Sequence, residues 1–83
     1  MRLPIIKTLV ESKEFDEDYF IEAVEVLLAV AESRGIKDEE LEVIGELISN
    51  LEGAIDVKLQ IKKGTPQREA LNGFMKRVMG AIN

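Results

Sequence analysis

From Ala23 to Ala31 the chain reads Ala-Val-Glu-Val-Leu-Leu-Ala-Val-Ala, and Glu25 is the one polar residue in it. Wound as a helix, the segment gathers Asp18, Glu22, Glu25 and Glu32 onto one narrow ridge, because they recur close to whole turns. Phe20, Ile21, Val24, Val26, Leu27, Leu28 and Val30 share the remaining circumference. An ordinary surface helix is apolar over about a third of its circumference, whereas this one is apolar over about two thirds. Such a helix needs neighbours on several sides. Either it is the centre of the fold, from Phe20 to Val30, or one flank meets another copy of the chain. Four helices cannot fully surround any one of their number, so a monomer would leave part of this surface wet.

The rest of the chain is also helical in pattern, with almost no period-2 alternation. Pro4 suits a first helical position, and Ile5, Ile6, Leu9 and Val10 form a stripe, which predicts a short helix over 4–12. The run Asp16-Glu17-Asp18 suits the positive end of a second helix, over 16–34, closed by Gly35. Asp38 with Glu39 and Glu40 opens a third, over 38–63, which ends on lysines before Gly64. Thr65-Pro66 opens the fourth, over 66–82. The expected fold is all-α: one four-helix bundle-like domain spanning 1–83, with short loops that set successive helices antiparallel. A composition of 46% apolar and 33% charged residues is that of a globular chain with one core.

The third helix repeats the breadth of the second. Leu41, Ile44, Ile48, Leu51 and Ile55 make a seam, Leu47, Ala54 and Ile61 widen it, and Val43 and Val57 lie on a flank. A helix of about 25 residues is roughly 37 Å long and overhangs the short first helix. It also carries Gly45, Ser49 and Gly53 at i, i+4 and i+8, a groove in which another backbone could approach closely. Each glycine costs a helix about 1 kcal/mol against alanine, so two imply a packing reason. Gly73 and Gly80 stand one heptad apart in the fourth helix. The crossing could lie within one chain, between the third and fourth helices, or between two chains. Self-association as a dimer through Val26, Val30, Gly45, Ser49 and Gly53 is the reading these helices favour.

Histidine and cysteine are both absent. That removes Ser-His and Cys-His nucleophile pairs, the common zinc sites, disulfides and any imidazole switch near neutral pH. Catalysis would fall to carboxylates, lysines or Tyr19, in a chain too short to enclose a large pocket. No enzyme, no cofactor and no metal are expected. Glu22 and Glu25, with Glu39, Glu42 and Glu46, could offer paired carboxylates to a hard cation, but solvated helix faces account for them. The turn Gly35-Ile36-Lys37-Asp38-Glu39-Glu40 lacks the alternating ligands of an EF-hand.

Charge is divided along the chain. Residues 1–56 hold fifteen acids and five bases, net −10, and residues 57–83 hold one acid and six bases, net +5, within an overall −5. Lys58, Lys62, Lys63, Arg68, Lys76 and Arg77 are the candidate basic contact patch, toward nucleic acid or an acidic partner. The alternative is that the fourth helix docks beside the acidic ridges, and it is favoured, because an acidic chain repels phosphate at range and no aromatic residues interleave with the bases. Nucleic acid is therefore the second choice of partner, behind a second copy or an unidentified protein. A third reading, an apolar ligand cupped by Phe74, Met75 and Met79, competes with their plain use as core. No stretch approaches the roughly 20 apolar residues of a membrane span, and Lys7 interrupts the N-terminal apolar run, so a cytoplasmic location is expected.

Two resemblances add to this. The segment from Leu28 to Ile48 looks somewhat like the helical hairpin of TerB-like domains, with Ser33 and Arg34 standing where those domains place acids, so that no metal site carries over. The stretches Asp38-Glu39-Glu40-Leu41 with Ile44-Gly45-Glu46-Leu47-Ile48-Ser49-Asn50, and Gly64-Thr65-Pro66 through Glu69-Ala70-Leu71-Asn72-Gly73-Phe74-Met75-Lys76-Arg77-Val78, resemble a family of small all-helical bacterial proteins of unknown function. That resemblance implies a bacterial cytoplasmic protein and no activity.

Overall fold

The computed structural model describes residues 2–82, with side chains as far as residue 78. Four helices follow one another: α1 (Leu3–Glu11), α2 (Glu17–Ala31), α3 (Asp38–Lys62) and α4 (Gln67–Ile82). The described residues contain no strand. The fold is an all-α bundle with a short first helix and three longer ones.

The helix ends follow local chemistry. Asp16 caps α2, its Oδ1 accepting from the Asp18 and Tyr19 amides at 3.0 and 3.3 Å. At the start of α3 the Lys37 amide donates to Glu40 Oε1 at 2.9 Å, so the N-cap is Lys37 and Asp38 is already helical. Gly35 and Gly64 take positive φ, 85° and 109°, in the turns after α2 and α3, where other residues would be strained. The Pro66 carbonyl accepts the first bond of α4, from the Ala70 amide. α2 stops at Ala31, three residues short of Arg34. The Ser33 amide bonds to the Val30 carbonyl, a tighter i→i−3 turn, and Ser33 Oγ donates back to the Ala29 carbonyl.

α3, and not α2, is the axis of the molecule. α1, α2 and α4 each pack against it. α2 returns antiparallel to α3, as the short connection requires, with Glu17 beside Lys62 and Val30 beside Val43. α1 lies along α3 in the same direction, as two successive antiparallel reversals require. The Arg2 amide donates to Asn50 Oδ1 at 2.7 Å, Ile6 meets Gly53, and Lys58 Nζ donates to the Ser12 carbonyl at 3.2 Å. α4 folds back from Gly64 and sets Phe74 against Gly53.

The core sits at one end. It joins Ile6 and Val10 of α1, Phe20 of α2, Ala54 and Val57 of α3, and Ala70, Leu71 and Phe74 of α4. Between residues 21 and 49 no residue is buried. α2 thus lays only the stripe from Phe20 through Val24, Leu27 and Ala31 on α3, and its other apolar flanks have no covering helix. The molecule is a slab of 43 × 34 × 17 Å, about two helices thick at the usual 8–10 Å between axes.

Candidate interaction surface

One stripe of α3 shows how the bare end arises. Val43, Leu47, Asn50, Ala54 and Val57 recur at i, i+4, i+7, i+11 and i+14, so they share a face. The last three are buried, at 2% exposure or less. Val43 is 59% exposed and Leu47 is 47% exposed. The border is where α1 begins, pinned by the Arg2 amide on Asn50. Both polar atoms of the Asn50 side chain have partners there, since its Nδ2 also donates to the Glu46 carbonyl at 2.9 Å. Beyond it the stripe continues, apolar and uncovered.

Across the hairpin the C-terminal half of α2 extends this surface. Val30, Ile36, Val43 and Ile44 line an open groove of about 400 Å³, rimmed by Glu39 and Glu40. Val26, one turn before Val30 and 63% exposed, prolongs it. The excess of surface can be measured. A compact chain of 9.3 kDa exposes about 5,000 Å² and has a radius of gyration of about 12 Å. This one exposes 6,048 Å², with a radius of gyration of 13.7 Å.

The residues expected to serve self-association do not converge. Val26 and Val30 lie on the face just described. Gly45 stands two residues beyond Val43, about 200° round the helix at 3.6 residues per turn, and shares that opposite side with the half-buried Ser49. Gly53 is enclosed within the chain: a Cβ there would come 2.8 Å from Ile6 Cδ1 and 3.0 Å from Phe74 Cζ. The close crossing the glycine spacing anticipated is the one between α3, α1 and α4 of a single chain. The pattern makes Leu47 a residue that widens the seam and puts Val43 on its flank, yet these two are the most exposed apolar residues of the helix.

The basic residues divide as well. Lys58 Nζ donates to the Ser12 and Phe15 carbonyls, at 3.2 and 2.6 Å, and lies 5.6 Å from the centre of the Phe20 ring. Lys62 bonds Glu17 at 2.6 Å, and Arg77 pairs with Asp56. The Lys62 hydrogen bond holds the Glu17 carboxyl below its ordinary range, and the same bond raises the Lys62 ammonium. Half of the six-residue patch is therefore spent inside the chain, tying the acidic half to the basic one. Lys63, Arg68 and Lys76 are exposed. Phe74 is buried and Met75 packs against the core, while Met79, named with them as a ligand cup, and Gly80 lie outside the residues whose side chains are described.

Among the described residues no three carboxylates converge closely enough to hold a metal ion. No helix is long and apolar enough to cross a membrane, again among the described residues. With the geometry set out, comparison gives the relationship. The model of a family of unknown function, DUF6952, matches residues 1–83, and the chain belongs to that family. None of the curated proteins and none of the solved structures matches it.

Proposed function

We propose that this chain is a non-enzymatic interaction module that pairs with a second copy of itself through the bare end of the α2–α3 hairpin. The observation that carries the reading is the α3 stripe, buried from Asn50 onward and uncovered at Val43 and Leu47. The amount of surface fits. The excess over a compact chain is about 1,000 Å², and each partner in an interface of standard size covers about 800 Å². A two-fold axis through the face would set hairpin on hairpin as four helices, with Val26, Val30, Val43 and Leu47 of each copy inward. The reading needs no cofactor, and we propose with it the bacterial cytoplasmic location expected from the sequence.

Sedimentation velocity at micromolar concentration tests it. The expected mass is twice the 9.3 kDa of the chain. Val43→Glu with Leu47→Glu, both exposed and so tolerated by the single chain, should return it to 9.3 kDa with unchanged helical circular dichroism. A wild-type mass of 9.3 kDa up to several hundred micromolar would defeat the proposal.

A further inference from the structure

A second concavity lies on the other side of the molecule, in the cleft between α1 and α4. It has a volume of about 370 Å³, within the range of roughly 300–1,000 Å³ typical of small-molecule sites. Its floor is Leu71, which is buried, with Leu3 beside it. Two cations, Lys7 of α1 and Arg68 of α4, stand at its walls. Neither forms an ion pair with a described residue, unlike Arg2, Lys62 and Arg77. Gln67, which also lines the cleft, donates its Nε2 to Glu11 Oε2 at 2.9 Å. Glu11 is the one acid among the lining residues, so the cleft carries a net charge of +1 on a chain of net −5.

We infer that the α1–α4 cleft is a binding site for a small amphipathic carboxylate, its acid head on Lys7 and Arg68 and its alkyl or aryl body over Leu3 and Leu71. An apolar floor flanked by two exposed cations selects for that combination. A neutral alkyl compound would make no charge-assisted hydrogen bond to either cation, and an alkyl cation would meet repulsion. Arg68 supplies a planar fork for the two carboxylate oxygens and Lys7 a point charge. A single-headed acid suits the cleft better than a diacid, because Glu11, in the lining, repels a second negative group. The site is separate from the hairpin face, which lies at the other end of α3 and on other residues.

The test is an amide-resolved NMR titration with hexanoate, heptanoate and octanoate, each below its micellar concentration. Shifts should centre on Lys7, Arg68, Leu71 and Asn72. Affinity should rise up to about fourfold per added methylene. Octylammonium and octanol should bind at least tenfold more weakly than octanoate. Lys7→Glu with Arg68→Glu, both exposed, should weaken octanoate at least tenfold while leaving the sedimenting mass unchanged. No saturable shift at millimolar octanoate, equal binding of octylammonium, or shifts confined to Val30, Ile36 and Val43 would each overturn the inference. Since the readout is residue-specific, it stands or falls apart from self-association.

Discussion

At the scale of single residues, the two glycines of α3 that share a spacing have opposite roles. Gly53 is the contact point of three helices, and the atoms a Cβ would crowd belong to two buried side chains, Ile6 and Phe74. Overpacking of this kind costs about 1–3 kcal/mol, which exceeds the roughly 1 kcal/mol that alanine gains in helix propensity. Gly45 has nothing within 4 Å of its Cβ position. Urea unfolding should therefore show Gly53→Ala destabilised by about 1 kcal/mol or more. Gly45→Ala should be stabilised by about 0.5–1 kcal/mol. The same pair locates the second copy: a fall in self-association on Gly45→Ala would move the interface from the Val43 face to the opposite one. From the sequence, the i, i+4, i+8 spacing shows that a close crossing exists. It cannot show with what, because the residues that fill the groove lie 47 positions before Gly53 and 21 after it, with no local trace. Asn50 could have been picked out as the one amide interrupting an apolar stripe, but its partner, the Arg2 amide, is equally remote.

Among the elements, the link from α1 to α2 is held by a side chain of α3. Lys58 satisfies the carbonyls of Ser12 and Phe15 at the two ends of that connection and rests over Phe20, the one buried residue of α2. Hydrogen bonds to a charged donor contribute more than neutral ones, and the ring adds a cation–π term. Lys58→Met keeps the apolar stem and removes the charge, and should lower stability by about 1–2 kcal/mol, read from the urea midpoint. Hydrogen exchange should speed up first at residues 12–20. The elements themselves were largely legible, because caps, Pro and Gly act within a few residues of themselves: Asp16 and Gly64 stand where the pattern put them. α2 ended early because the turn tightened ahead of its glycine, a choice that Ser33 makes by bonding the Ala29 carbonyl. The place of α2 was not legible. The breadth of an apolar face measures how much surface wants cover, and the neighbours that could supply it, α1 and α4, gather instead at the far end of α3. Lys58 read as part of a basic patch because composition counts charges without saying which are already spent.

For the whole molecule, the decisive fact is that nothing from residue 21 to residue 49 is buried. A hairpin of two helices with apolar outer flanks gains little by itself. If a second copy covers it, stability becomes a function of concentration. The midpoint of urea unfolding should then rise with protein concentration, each tenfold step adding about 1.4 kcal/mol for a dimer that unfolds as it separates. A midpoint constant from 1 to 100 μM would speak against it. Salt decides how the copies meet. Each chain carries net −5, and the groove is rimmed by Glu39 and Glu40, so hairpin-on-hairpin pairing brings like charges together. Raising ionic strength from 0.01 to 0.15 M shortens the screening length from about 30 to about 8 Å, and it should strengthen such a pair. The other arrangement, with the acidic hairpin of one copy laid on Lys63, Arg68 and Lys76 of the next, is an attraction of opposite charges. Salt would weaken it, and because the contact is head-to-tail it would not close at two copies. Dissociation constants measured at the two salt concentrations therefore separate the two assemblies by sign alone, with tighter association at the higher salt expected for the apolar face.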